Sequence, residues 1–177
     1  HQELLRESVY MQRLVNDLLD LSRLQNTGFS MNIDTFNLFD CIGDSVKSGR
    51  RVADSKGILV EFESDVTEFL YKGDYDRIRQ MLLIVLDNGI KFTTDPTHPV
   101  RVVFDKGIVS ITNVGAGIKE EELPHIFERF YKSRSEINKN GTGLGLAISK
   151  QIAIRHGVGI SVRSVPGGET TFWFDFG

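Results

Sequence analysis

The sequence has a single cysteine, Cys41, which excludes a disulfide framework and a cysteine-built zinc site and fits a reducing compartment. No apolar run approaches the roughly 20 residues that a membrane-spanning helix needs. No charged-then-apolar stretch of the kind that marks a secretion signal opens it either. Neither sign of charge dominates: 21 basic side chains stand against 24 acidic ones, a net charge of −3. That balance argues against a dedicated nucleic-acid binder, whose affinity would rest on clustered positive charge. Trp and Tyr are scarce, one and four against 12 Phe, and 40% of the 177 residues are hydrophobic. That composition supports a conventional apolar core and excludes wholesale disorder. The length allows one ordinary domain plus one extra element.

What is present changes period along the chain. At the start the pattern is helical: Leu4, Met11 and Leu18 recur at heptad spacing, Leu14 and Leu21 fill the seam, and Leu5, Val15 and Leu19 widen it. So broad a stripe must be covered, either by the helix's own domain or by bundle helices from another chain or from sequence not present here. Asn26-Thr27-Gly28 ends it. Phe29, Met31 and Ile33 then alternate with polar residues as in a half-buried strand. Asn37 is placed to cap a helix reaching about Lys56, Ile58, Val60 and Phe62 alternate again, and a short apolar piece spans Phe69 to Tyr71. Gly73-Asp74 opens a helix whose inner face is Ile78, Met81, Leu82, Val85 and Leu86. Strands around Val100–Phe104 and Ile108–Asn113 are joined by Asp105-Lys106-Gly107 as a hairpin. Residues 114–142 have little periodicity beyond a short helix around Pro124 to Tyr131, and so long an irregular stretch reads as a functional loop or lid. A helix from Leu144 to His156, stopped by Gly157, and two strands, Ile160–Ser164 and the alternating Phe172, Phe174 and Phe176, complete an α/β sandwich with helices on one face of one mixed sheet.

Three glycine clusters stand out: Gly115 and Gly117, then Gly141, Gly143 and Gly145, then Gly167-Gly168. The second directly precedes a helix, where glycines let a phosphate reach backbone N–H groups and the positive end of the helix dipole. Neither of the first two matches a P-loop or a dinucleotide-binding fingerprint. Asn88, Lys91 and Phe92 put an amide, an ammonium and an aromatic ring near one helix end, the groups that a metal, a phosphate and a base would use. Asn113 falls, counting by twos, on the core-facing row of Val109 and Ile111. An amide ending a buried apolar row needs a partner, and at a glycine-flanked strand end a ligand can be that partner.

These segments, in order, resemble the N, G1, F and G2 boxes of bacterial sensor histidine kinases: Leu86-Asp-Asn88-Gly-Ile-Lys91-Phe92-Thr93, Asn113-x-Gly115-x-Gly117, Ile126-Phe127-Glu-Arg129-Phe130-Tyr131 and Gly141-Thr142-Gly143-Leu144-Gly145-Leu146-Ala-Ile148. Leu14-Val-Asn-Asp-Leu-Leu-Asp-Leu-Ser-Arg23 is similar to the second helix of that family's dimerisation and phosphotransfer hairpin. The resemblance implies a Bergerat ATP-binding fold over residues 28–177, an α/β two-layer sandwich, preceded by one long helix over residues 1–27. It also implies that the stripe of that helix completes a four-helix bundle between two subunits.

ATP and Mg2+ are the implied cofactors. Asn88 would ligate the metal, Lys91 and Arg129 would neutralise phosphate with Lys132 nearby, and Phe92 would pack beside adenine. Asn113 would meet the adenine amino group, and Gly115, Gly117 and Ile118 would line the nucleotide. Gly141, Thr142, Gly143, Leu144, Gly145 and Leu146 would form the phosphate-side hinge, with Phe127 and Phe130 anchoring the lid. The implied partners are a second copy of the chain and a response regulator, with no nucleic acid and no membrane contact, in the cytoplasm. The sequence departs from the family in three places. His1 lacks the His-Glu-x-x-Thr/Arg-Pro acceptor pattern, Ile84 stands where a polar metal-binding residue is usual, and Asn113 replaces an aspartate. The competing reading is a degenerate nucleotide-binding or scaffolding module.

Overall fold

The computed structural model describes residues 1–132 and 141–177; residues 133–140, inside the expected lid, lie outside the described residues. The chain opens with a long helix, α1 (Gln2–Gln25). It continues through β1 (Ile33–Asn37), α2 (Leu38–Ser55), β2 (Val60–Ser64), β3 (Leu70–Asp74), α3 (Tyr75–Phe92), β4 (Val100–Asp105) and β5 (Ile108–Val114). After a 3-10 turn at Leu123–His125 come α4 (Gly145–His156), β6 (Gly159–Ser164) and β7 (Glu169–Asp175). Five strands form one sheet in the order β2-β4-β5-β7-β6, with β2 parallel to β4 and the other pairs antiparallel. Phe104, Val109, Ile111, Phe172 and Phe174 on its inner face, and Ile42, Val46, Ile78, Met81, Leu86, Ile148 and Ile152 on α2, α3 and α4, form one buried core. This is the two-layer sandwich expected.

Capping side chains set the helix starts. The Asn37 carboxamide oxygen accepts from Phe39 N at 3.1 Å and from Phe69 N at 2.9 Å, so one residue caps α2 and anchors the entry to β3. The Asp74 carboxylate caps α3 through Arg77 N at 3.2 Å and also accepts from Asn32 N at 3.0 Å. The β4–β5 hairpin turns through Lys106 (φ 51°) and Gly107 (φ 79°), both left-handed, as a two-residue turn that matches strand twist demands.

Three expectations are corrected. Phe29 and Met31 are not in a strand, which begins only at Ile33. Their segment's backbone groups are taken by side chains instead: Arg155 binds the Phe29 carbonyl at 2.8 Å, Asp74 holds the Asn32 N–H, and the Arg77 guanidinium lies 5.8 Å from the centre of the Phe29 ring. Second, β1 and β3 form their own two-stranded antiparallel ribbon outside the main sheet. Third, the helix expected over Pro124 to Tyr131 is reduced to the turn at Leu123–His125.

The stripe of α1 divides into two faces. Leu21 and Leu24 are buried, and Leu14 and Leu18 pack on the domain core, while Leu4, Leu5, Met11, Val15 and Leu19 are exposed. With about 100° per residue, the first group lies on one side of the helix and most of the second on the other. The covering that the histidine kinase resemblance transferred to another chain is, for Leu14, Leu18 and Leu21 of the stripe, supplied by the chain's own domain. Asp20 pairs with Arg77 at 2.7 Å and accepts from Gln80 at 2.6 Å, and Arg155 gathers the carbonyls of Leu24, Asn26 and Phe29.

His156, at the end of α4, is held by contacts at both ring nitrogens. Its Nε2 accepts from Asp74 N at 3.0 Å and its Nδ1 faces the Ile152 carbonyl at 2.8 Å, which is the neutral tautomer. Burial pushes its pKa below the ordinary 6.5. In the unfolded chain the ring protonates more readily, so stability falls as pH drops through that window. Urea midpoints should therefore decline from pH 7.5 to 5.5, and His156→Gln should flatten that decline while lowering the midpoint at pH 7.5. An unchanged pH slope in the variant would show that His156 is not the group responsible.

Candidate functional site

Beside the core lies a cavity of about 370 Å³ walled by α1, the C-terminal half of α3, the end of β5, β7 and the loop that leads into α4. Such a volume suits a small organic ligand of nucleotide size. Helical spacing on α3 aligns Ile84, Asp87, Asn88 and Lys91 on one face, and all four line the cavity. Lys91 Nζ stands 5.4 Å from the centre of the Phe92 ring, which lines it too. Burial, and then the charges of Arg13, Lys56 and Lys132, hold Lys91 below the usual lysine range. Asp87 is shifted the other way, its pKa raised by burial against the opposing pull of Lys56, and its buried Oδ1 has no partner among the described residues.

Asn113 lies where the alternation placed it, in the buried row with Val109 and Ile111, only 7% exposed. It borders the cavity, and its side chain makes no hydrogen bond with any described residue. Across the ladder it pairs with Thr170 of β7, whose hydroxyl lies 2.6 Å from Ser164 Oγ, and that oxygen accepts from Ile118 N at 2.7 Å. Ile118, Ile126 and Phe172 give this part of the wall its apolar surface.

The glycines are explained chiefly by protein against protein. A Cβ on Gly115 would lie 2.1 Å from the Phe92 carbonyl oxygen, and Gly115 itself is not in the cavity wall. Gly117 has φ +74° and would place a Cβ 2.4 Å from the Val165 carbonyl oxygen. Gly143, at φ +76°, passes 2.8 Å from the Phe130 backbone by the same measure, and a Cβ on Gly145 would meet Ile84 at 3.3 Å. Gly117, Gly141, Gly143 and Gly145 still border the cavity, as do Thr142 and Leu146, whereas Leu144 is wholly buried in the core. Leu144 caps α4 without a side-chain bond, so the first N–H groups of that helix are open to an anion.

Two expected site residues stand elsewhere. Arg129 is hydrogen-bonded to the Gln25 side chain, and Lys132 donates to Tyr10 Oη at 3.4 Å with its Nζ 5.4 Å from that ring's centre. Neither lines the cavity, because α1 supplies polar partners that draw both outward. Phe127 does anchor its segment, edge-on to Phe172 at 6.1 Å and under Lys150, but Phe130 is 55% exposed with φ +62°.

Sequence reasoning missed the wall contributed by α1. Arg13 and Asp17 both line the cavity, and Thr142 Oγ1 donates to Asp17 Oδ2 at 2.7 Å. No local signal in the sequence places a residue of the first helix beside one more than a hundred positions later. Asp87, Glu122, Tyr131 and Thr170 were also missed. Thr170 was the one within reach, two residues before the alternating Phe172 and Phe174.

Since the Gly115 Cα sits against a carbonyl, Gly115→Ala should lower the unfolding free energy by about 1–3 kcal/mol. Urea denaturation checks this, and an unchanged midpoint would mean that the Phe92–Gly115 approach is looser than described.

A family profile described as the histidine kinase-, DNA gyrase B- and HSP90-like ATPase matches residues 73–177. Sensor histidine kinase YkoH of Bacillus subtilis is 36% identical over 96% of this chain and 37% of its own length. Sensor protein SrrB of Staphylococcus aureus is 34% identical over 95% of this chain and 30% of its own. The chain thus spans little more than a third of such relatives. Among solved structures, full-length ShkA in complex with AMPPNP aligns at TM-score 0.81 and 28% identity, over 97% of this chain and 37% of that one. Mycobacterial sensor histidine kinase MprB aligns at TM-score 0.66 and 32% identity, over 80% of this chain and 97% of that one.

Proposed function

Because the chain belongs to the family of histidine kinase-, DNA gyrase B- and HSP90-like ATPases, we propose that it is the ATP-binding catalytic part of a two-component sensor histidine kinase with one dimerisation helix attached. The observation that carries the reading is Asn113, a nearly buried amide with no partner among the described residues, at the wall of a cavity that also holds Lys91 and the open N-terminus of α4. A purine edge satisfies that amide, and a polyphosphate suits a wall that carries an ammonium and open helix N–H groups. The ShkA complex with AMPPNP supports a nucleotide of this class.

The reaction is transfer of the γ-phosphoryl of ATP to a histidine nitrogen of an acceptor helix: an N–P bond forms, the O–P bond to ADP breaks, and the phosphoryl passes on to an aspartate of a response regulator. This chain's residues contribute positioning and charge. Asn113 orients the base, and the Phe92, Ile118 and Phe172 surfaces exclude water from it. Lys91 and the α4 N–H groups hold the phosphates where charge accumulates in transfer. No carboxylate stands at position 84, one turn before Asn88, so activation of water in place of histidine is disfavoured. Asn88 is the amide that would hold Mg2+, and no group of three or more His, Cys, Asp or Glu that could hold a metal occurs among the described residues. The donor set therefore suits an ion held largely by phosphates and water, which magnesium accepts. Bound there, the ion would neutralise charge on the phosphate oxygens. Arg129 and Lys132 reach the phosphates only after parting from Gln25 and Tyr10. In the whole protein, the exposed stripe of α1 joins a second copy in the helix bundle, on the cytoplasmic side. Ile84 and Asn113 favour the second reading, a nucleotide-binding module without transfer.

Calorimetry should detect weak ATP binding that Asn113→Asp tightens about five- to tenfold with or without magnesium, as a charge-assisted acceptor replaces a neutral one. Ile84→Asn should tighten only the magnesium complex. Acid-labile phosphate on a supplied acceptor-helix fragment, after incubation with Mg-ATP, separates the kinase from the silent module. If Asn113→Asp leaves both affinities unchanged, the base does not sit at that strand end.

A further inference from the structure

The cavity has one wall that belongs to neither the sheet nor the helices packed on it. Arg13, on α1, lines the cavity and is exposed. Asp17, one turn further along α1, lines the same cavity, and its carboxylate accepts from the Thr142 hydroxyl at 2.7 Å. Asp20, the next acidic residue on that helix, is engaged by Arg77 and Gln80. Arg13 makes no hydrogen bond or ion pair with any described residue. It also stands close enough to Lys91 for the two positive charges to oppose each other, beside a further cation, Lys132. The cavity wall thus carries a guanidinium on α1 and an ammonium on α3, with the carboxylates of Asp17, Asp87 and Glu122 in the same wall.

The register of the helix is set independently of Arg13. The Asp17–Thr142 bond fixes α1 against the loop that opens α4, and Arg155 fixes its end. Arg13 is thereby presented to the same space as Lys91 and the glycine loop, and its planar guanidinium suits phosphate oxygens.

We propose that Arg13 of α1 is a phosphate-binding residue of this site, so that the site is composite: the sheet side holds the base while α1 and α3 close on the polyphosphate from two directions. This rests on the nucleotide reading above. It adds that nucleotide binding and the docking of α1 reinforce each other, since a ligand that touches both favours the docked arrangement, and the coupling is reciprocal.

The test measures the affinity of the full chain for adenosine, ADP and ATP, at fixed ionic strength with magnesium, in the wild type, Arg13→Gln and Arg23→Gln. Arg23 lies on the same helix but does not line the cavity, so its loss controls for net charge. Arg13→Gln should weaken ATP about tenfold and ADP less, leave adenosine unchanged and keep the thermal midpoint, and Arg13→Lys should recover part of the loss. ATP, but not adenosine, should slow amide exchange over residues 10–20 in the wild type and not in Arg13→Gln. Equal weakening of all three ligands would assign Arg13 a structural role and overturn the proposal, as would no change, or the same change in Arg23→Gln. If the wild type binds none of the three, the nucleotide reading itself falls and Arg13 with it; binding that is indifferent to Arg13 sinks only this inference.

Discussion

The docking of α1 onto the domain is the constraint on which the shape of the site depends. It rests on Arg155, which gathers the carbonyls of Leu24, Asn26 and Phe29, and on the Asp20–Arg77 pair. A helix leaves its last carbonyls without intrahelical partners, and a guanidinium with several donors can satisfy them together. Asp20 and Arg77 are each less than a quarter exposed, at 23% and 16% for their side chains, so water screens their attraction less than it would a surface pair. With that end held, burial of Leu21 and Leu24 follows, and the polar residues one and two turns back are delivered to the cavity mouth.

Local chemistry made much of the fold legible before any coordinates. Asn37 and Asp74 read as helix starts because a short polar side chain before an apolar periodic run has one good use, and both do cap. The alternation through Val109, Ile111 and Asn113 identified a buried amide correctly because a strand's period of two leaves no freedom about facing. The failures came where partners were distant. Phe29 to Asn32 alternates like a strand, yet Arg155 and Asp74 bind its backbone first. The heptad stripe of α1 is one feature in sequence and two faces in space, because a period of seven does not say which neighbour covers which side.

The glycines carry a related lesson about the site. Their positions signalled close approach, and close approach is there, but at Gly115, Gly117 and Gly143 the approaching group is another part of the backbone. A pattern that marks a ligand loop and one that marks tight packing demand the same residue. Here the two coincide, since the packing around Phe92 and Phe130 is what shapes the cavity rim. Arg129 and Lys132 show the reverse case: cations with the right composition for phosphates are held by Gln25 and Tyr10, which nothing nearby in sequence announces.

The two faces of α1 belong to one stiff rod. Leu4, Met11, Val15 and Leu19 look outward while Tyr10, Asp17 and Leu21 look toward the domain, and the helix cannot rotate at one face without carrying the other. A twist of about 100°, the angular step of a single residue, would take Asp17 off Thr142 and lift Leu21 from its seat. A slide of one turn, about 5.4 Å, would do the same. Whatever grips the outward face therefore holds a crank whose throw ends at the mouth of the cavity, and torque applied there is read out at Thr142.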